Sequence, residues 1–293
     1  MIHIIIPVHN RLDLTKNCLK SIYEQSFKDW SVYIVDDGST DGTKEYISSL
    51  ENSKINYLEA DGSLWWTGAI KLGISKALEI ADSNDFIMTV NNDIIFEANT
   101  INRLLDNMEN NYTICSSLSV SDRSEIAMSS GSKVISWIFN ITRHPFYGKS
   151  YEKISKAKNV EVDMLTGRSV IYPTKIFIEG CNFDNLNFPH YGGDSEFTNR
   201  AQRSGYKLLI VPSSIIYVNR ESTGLNPLDK KLTLVEIIRS FYSIRSTNNI
   251  ATKIKFSLKV PPWYARPTYM FISIIKVFIL ALVGNFFIKK TIR

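Results

Sequence analysis

Short apolar runs alternate with segments of helical period over the first 110 residues, and each run ends on a polar loop. Ile2 to Val8 reads as a strand, and Leu14, Cys18 and Ile22 then recur every four residues, as one face of a helix does. Ser31 to Val35 is a second strand, closed by the turn Asp36-Asp37-Gly38-Ser39. A helix carrying Tyr46, Ile47 and Leu50 follows, with Thr40 or Asp41 as its cap. Ile55 to Glu59 is a third strand. Thr67 to Ala81 sets Ile70, Ile74, Ala77, Leu78 and Ala81 on one helical face, and Phe86 to Val90 is a buried strand that closes on Asn91-Asn92-Asp93. The order βαβαβαβ predicts an α/β fold: a Rossmann-like, mostly parallel sheet with helices on both faces and a ligand crevice at the strands' carboxyl ends.

Carboxylates gather where that crevice would open. Asp36, Asp37, Asp61 and Asp93 each stand just beyond a strand, so four of them, from three loops, converge on one edge. Turn chemistry accounts for any one of them alone. Their convergence suits a divalent cation, Mn²⁺ or Mg²⁺, with Asp93 as its protein ligand. No GxxxxGK[ST] occurs and no GxGxxG follows the first strand, so a glycine nest does not hold phosphate here. Farther on, Gly192-Gly193 precedes Asp194, which opens a helix through Arg203. An Asp there is either a helix cap or a general base for a hydroxyl, and the glycines beside it favour the base.

Residues 120 to 159 turn polar and irregular, with scattered aromatics, and read as a long excursion over the site. Val160 to Tyr172 reads as a strand pair around Thr166-Gly167-Arg168, followed by a short helix to Gly180. Lys207 to Val211 is a later strand.

The net charge of +5 conceals a division, because residues 1–229 hold 22 Lys/Arg against 28 Asp/Glu and residues 230–293 hold 12 against 1. An acidic body disfavours a nucleic-acid groove, and a basic tail with long apolar stretches suits an anionic membrane surface. Cys18, Cys115 and Cys181 are an odd number without a CxxC pair, which points to free thiols in a reducing compartment and no structural metal.

Four motifs together resemble the family 2 glycosyltransferases in order and spacing. They are Ile4-Ile5-Ile6-Pro7-Val8-His9-Asn10-Arg11, Val35-Asp36-Asp37-Gly38-Ser39-Thr40-Asp41-Gly42-Thr43, Asn91-Asn92-Asp93 and Gly193-Asp194-Ser195-Glu196-Phe197. Leu64-Trp65-Trp66-Thr67-Gly68-Ala69 and Phe183-Asp184 are similar to the bacterial, rhamnosyltransferase-like branch that builds surface polysaccharides. The resemblance implies a GT-A fold, a UDP- or dTDP-sugar donor, a divalent cation and inversion at the anomeric carbon, with residues 1–110 as the donor half and 111–229 as the acceptor and catalytic half. It implies that Pro7 and His9 line the nucleoside pocket and that Asp36 and Asp37 bind base and ribose, with Asp61 and Asn92 also on the donor side. Asp93 would ligate the metal and Asp194 would deprotonate the acceptor hydroxyl. Trp65, Trp66, Gly167, Arg168, Gly193 and Glu196 are candidates on the acceptor side, one tryptophan stacking on a sugar and the other in the core.

A metal that neutralises the departing diphosphate removes the need for a protein acid, so one carboxylate suffices, whereas glycosidases use a pair. Three positions depart from the family pattern. Asn91 replaces the first acid of the DxD, Lys71 stands where the branch has Asn, and Tyr217-Val218-Asn219-Arg220 stands where relatives supply a histidine. The alternative is a non-catalytic sugar-nucleotide or glycan binding module on the same fold, against which the retained Asp93 and Asp194 speak.

In the tail, Met270 to Ile288 approaches the ~20 apolar residues of a membrane span but contains Lys276. Basic residues flank it on both sides (Lys253, Lys255, Lys259 and Arg266; Lys289, Lys290 and Arg293), so both ends prefer the cytosolic face. An in-plane helix with Trp263, Tyr264 and Tyr269 at headgroup level therefore ranks ahead of a buried core helix and of a span. The expected location is the cytoplasm, with residues 253–293 attached peripherally to the inner membrane, where a lipid-linked glycan acceptor would lie.

Overall fold

In β1 (Ile2–Val8), Ile2, Ile4, Ile6 and Val8 face one side of the sheet and Ile5 the other, all at most 2 % exposed. The computed structural model that shows this describes residues 1–122, 124–219 and 232–291, with side chains through residue 281. α1 (Leu12–Tyr23) lays Cys18, Leu19 and Ile22 on the first face of the sheet. β2 (Trp30–Asp37), α2 (Thr43–Ser49), β3 (Ile55–Ala60), α3 (Trp65–Ala77) and β4 (Phe86–Val90) follow. On the opposite face α3 buries Ala69, Ile70, Ile74 and Ala77, at the positions its period predicts. A Cβ on Gly73 would stand 2.4 Å from Ile5 Cγ2, so the glycine is what lets α3 lie directly on β1. The four strands pair in parallel in the order β3-β2-β1-β4.

The chain continues through β5 (Ile94–Phe96), α4 (Thr100–Leu105), β6 (Thr113–Ser121), β7 (Gly131–Ser136), β8 (Ile141–Arg143) and α5 (Tyr151–Ile154). Then come β9 (Val160–Glu161), β10 (Met164–Leu165), β11 (Ser169–Pro173), α6 (Lys175–Ile178), α7 (Gly193–Arg203) and β12 (Lys207–Val218). The main sheet extends past β4 as β11-β6-β12-β5, with β9 on β12, while β10-β7-β8 form a small second sheet.

Three sequence expectations are corrected here. The excursion after residue 120 is not wholly irregular, because β7 and β8 pair within it. Val160 to Tyr172 is not a strand pair: β10 joins β7, whereas β11 inserts antiparallel between β4 and β6. Every β11 residue is buried, so its apolar run carries no alternation that could name a partner. β12 reaches Val218 instead of ending at Val211, and its register shifts between Val211 and Ile215, around Pro212, which has no N–H for the ladder.

The antiparallel β11 matters most for function. Its first residue, Ser169, lies opposite Val90, the last residue of β4, and the Asn91 N–H donates to the Arg168 carbonyl at 3.0 Å. A strand running the other way would carry Gly167 to the far edge of the sheet.

The tail forms α8 (Leu234–Ser240), α9 (Ile250–Lys259) and α10 (Arg266–Thr291). Among the described residues it is fastened to the body. Lys259 pairs with Asp184 at 2.7 Å, Arg203 donates to the Val260 carbonyl, and Asn140 donates to Ser273 Oγ at 2.9 Å. Tyr269 lies between Trp137 and Phe256, with ring centroids 5.8 and 6.3 Å away. The boundary expected at 229/230, and Arg220, lie outside the described residues.

Candidate active site

Four loops meet at the carboxyl ends of β1 to β4, and their carboxylates take different roles. Asp36, 1 % exposed, accepts from the Ser39 N–H and the Tyr57 hydroxyl, both at 2.8 Å. Asp37, 6 % exposed, accepts three backbone N–H groups, from Gly62 at 3.0 Å, Leu64 at 3.1 Å and Trp65 at 2.8 Å. Both are thus already hydrogen-bonded by the protein, and they shape the crevice through the loops they hold. The His9 ring bonds the Asp37 carbonyl through Nδ1 at 2.6 Å, and half-buried Pro7 lies beside Val35 in register. Asp61 is exposed and takes up the Ser63 N–H and hydroxyl. The four share an edge, but among the described residues no three His, Cys, Asp or Glu side chains cluster as a metal cage would.

Asp93 differs from the others. Its Oδ2 accepts from Arg11 at 3.3 Å, while Oδ1 is buried and has no hydrogen-bond partner. Leaving one buried carboxylate oxygen without a hydrogen bond costs about 1–3 kcal/mol, which a cation bound there would remove. One carboxylate also fits Mn²⁺ or Mg²⁺, which takes most of its remaining ligands from phosphate and water. Arg11 and Asn10 both adopt left-handed backbone, φ 67° and 56°, a strain that aims the Arg11 side chain from the end of β1 at Asp93.

Asp194 stands in the first turn of α7. Its Oδ1 accepts from the Ser195 N–H at 2.7 Å and its Oδ2 from the Gly167 N–H at 3.0 Å. A Cβ on Gly167 would lie 2.5 Å from Trp66 Cη2 and 3.3 Å from Asp194 Cβ, so only glycine fits where indole and carboxylate meet. The Trp66 indole N–H donates to Asn91 Oδ1 at 2.9 Å, and its ring packs edge-on to Phe183. Gly193 is equally constrained, by Thr67 Oγ1 at 2.6 Å from its would-be Cβ. Trp66 therefore links Asn91-Asn92-Asp93 to Asp194 and belongs to the core. Trp65, with φ 57°, turns its ring to His190 at 5.5 Å instead.

Some expected residues lie elsewhere. The Asn92 amide is buried and donates to Thr15 Oγ1 of α1 at 3.1 Å, which takes it off the donor side. Glu196, in the first turn of α7 with Asp194, is 7 % exposed and pairs with Arg200 at 2.8 and 3.0 Å. Arg168 turns to the Ser129 carbonyl at 2.8 Å and ties down the excursion. Alternation along a loop cannot show which side chain turns inward. All three cysteines are unpaired, and burial raises the pKa of each.

His190 stands in the loop that precedes α7. Its ring lies against Trp65 and Tyr191, with Nδ1 buried and unbonded. Burial, with the guanidiniums of Arg245 and Arg11 nearby, pushes its pKa down to about 4 from the ordinary 6.5. The unfolded chain binds the proton more readily, so stability is full above pH 6.5 and is lost as pH falls toward 4, by up to about 3 kcal/mol. Asp41, Asp61, Asp85 and Asp184 have lowered values and act only below that window. Urea unfolding from pH 7 to pH 4 is expected to show this loss, and His190→Gln is expected to flatten it. An unchanged slope in the variant would assign the acid sensitivity to other groups.

A parallel half-sheet, extended by antiparallel β11 that brings Gly167 and the Asp194 bonded to it to the edge where β4 ends, is the GT-A arrangement. GalNAc-T7, solved with UDP, GalNAc and Mn²⁺, matches it with a TM-score of 0.61 at 13 % identity, over 92 % of this chain and 53 % of that one. Residues 3–178 match the model of glycosyl transferase family 2, and the chain belongs to that family. An uncharacterized glycosyltransferase of Rickettsia bellii is 25 % identical over 179 residues, 61 % of this chain and 24 % of its own. The putative colanic acid biosynthesis glycosyl transferase WcaA of Escherichia coli is 33 % identical over 63 residues, 21 % of this chain and 23 % of its own. The chain matches about a quarter of the length of each of these relatives.

Proposed function

We propose that the protein is an inverting, metal-dependent hexosyl or deoxyhexosyl transferase. It moves a sugar from a UDP- or dTDP-sugar to a hydroxyl of a lipid-linked glycan in surface-polysaccharide assembly, O-antigen or capsule. The observation that carries this reading is the pair of carboxylates at one edge: Asp93 with its unpaired buried oxygen, and Asp194 held beside Gly167. The UDP and Mn²⁺ in GalNAc-T7 support the donor and the cation, and the name of WcaA supports the polysaccharide role.

The two N–H groups that hold Asp194 leave each carboxylate oxygen a lone pair for the acceptor hydroxyl. Asp194 takes the hydroxyl proton as the oxygen attacks the anomeric carbon from the face opposite the diphosphate, which inverts the centre. A cation at Asp93 supplies neutralisation of the charge that grows on the diphosphate. Arg11, already within 3.3 Å of Asp93, adds its positive charge on the same side. Pro7, His9, Asp36, Asp37 and Asp61 form the nucleoside side.

Calorimetric titration with UDP, dTDP and GDP, each with and without Mn²⁺, tests this reading. One nucleotide is expected to bind in a metal-dependent way, with binding weakened by about tenfold or more in Asp93→Ala. If none binds to folded protein, the transferase reading falls and the binding-module alternative loses its nucleotide as well.

The tail is read as the attachment to the cytosolic membrane face. The segment Trp263–Ala281 is long and apolar enough to cross a bilayer, and only 28 % of it is buried. Its Lys276 reaches the Asn140 carbonyl and its Tyr269 packs on Trp137, so one face is taken by the body, which supports an in-plane helix. Trp263 (79 % exposed) and Phe271 (68 %) remain for lipid, with Lys255 and Arg266 nearby in the chain. The part of the expected stretch beyond residue 281 has no described side chains. Sedimentation with phosphatidylglycerol vesicles is expected to exceed that with phosphatidylcholine, and Phe271→Asp is expected to reduce it several-fold. Equal recovery in the supernatant with both lipids would end this reading.

A further inference from the structure

Arg245 lies between α8 and α9, about fifty residues beyond Asp194 in the chain, yet its guanidinium sits 5.6 Å from the Trp65 ring centroid. Its segment is ordered from both sides. Asn249 donates to the Tyr242 carbonyl and the Ile250 N–H to the Phe241 carbonyl, each at 2.9 Å, and Ser246 and Asn248 are buried. α9 then packs on the loop that leads into Asp194, with Phe256 Cδ2 3.6 Å and Thr252 Cγ2 3.9 Å from where a Cβ of Gly192 would be.

These contacts close a ring around the crevice. Arg245 lies on Trp65, the neighbouring Trp66 bonds Asn91, and Asp93, two residues on, pairs with Arg11. Arg11 and Arg245 both act electrostatically on His190, from opposite parts of the sequence. Arg11 is paired with Asp93, whereas Arg245, held over Trp65, has no carboxylate partner among the described residues. An indole that supports one face of a guanidinium leaves its N–H edge directed outward, the geometry that takes two phosphate oxygens at once.

We propose that Arg245, supplied by the tail, completes the donor site and binds the diphosphate of the nucleotide, with Arg11 as its counterpart. The tail then contributes a binding residue as well as an attachment, and it offsets the single carboxylate left by Asn91. This rests on the nucleotide-sugar reading above.

The test compares a nucleoside diphosphate with its monophosphate (UDP with UMP, dTDP with dTMP) by calorimetry in Mn²⁺. The proteins are the full chain, Arg245→Gln, Arg245→Lys and the exposed tail control Arg239→Gln. Arg245→Gln is expected to weaken diphosphate binding by about tenfold or more while monophosphate binding stays within about twofold; Arg245→Lys recovers part of the loss, and Arg239→Gln matches the parent. A residue that merely latched the tail would weaken both ligands equally, and that result overturns the proposal. So does unchanged diphosphate affinity in Arg245→Gln when the parent binds normally, an outcome that leaves the transferase reading standing. A parent protein that binds no nucleotide overturns both.

Discussion

Asp194→Asn is expected to lower turnover by about 10²–10⁴-fold with nucleotide affinity unchanged, the range a positioned general base contributes. The amide keeps the size and shape of the carboxylate, and its oxygen can still accept from the Gly167 or the Ser195 N–H. It cannot accept a proton at neutral pH, so the attacking hydroxyl stays protonated in the transition state. The amide nitrogen also faces one of those two N–H donors, which costs about 1 kcal/mol of stability and leaves the fold intact. Release of nucleoside diphosphate from a UDP- or dTDP-sugar in the presence of envelope membranes measures turnover, and calorimetry measures affinity. Full turnover in Asp194→Asn would take the base role from this residue and return it to the helix-cap reading.

Gly167→Ala is expected to reach both stability and activity through one added methyl. At 2.5 Å from Trp66 Cη2 the new carbon overlaps a ring held edge-on by Phe183, and overpacking of this kind costs about 1–3 kcal/mol. Relief by moving the indole breaks its bond to Asn91 Oδ1, worth about 0.5–1.5 kcal/mol, and loosens the loop that carries Asp93. Relief by moving the backbone shifts the N–H that holds Asp194. Either way the two carboxylates lose their mutual placement, so a turnover loss of about tenfold or more accompanies the lowered urea midpoint and a changed tryptophan emission. A variant as stable and active as the parent would show that Trp66 does not set this geometry.

The donor half was legible because its signals are local. Strand β1 shows as a short apolar run and the face of α3 as a period of 3.6, each within a single segment, and Asn91-Asn92-Asp93 follows β4 directly. The acceptor half was less legible. β11 is buried at every position, without alternation, and so gives no sign of its neighbours, and the sequence reading paired it with the wrong strand. Inward and outward polar side chains were also mixed: Asn92 and Glu196 have the residue types of a site, yet one bonds Thr15 and the other Arg200. His190 and Arg245 carry no spacing signal, because what unites them with Trp65 is contact across the fold.

The residues alone therefore decide the parallel βαβ half, the turn chemistry at its carboxyl edge, the acidic body with its basic tail, and the membership in family 2. These depend on neighbours a few positions apart, where period, capping and composition act directly. Tertiary structure decides that antiparallel β11 brings Gly167 to Asn91, that Trp66 joins Asp194 to the Asp93 loop, and that the tail returns Arg245 to the crevice. Strand direction and tail docking are set by burial summed over the whole core, and no local pattern encodes a sum taken over residues far apart in the chain.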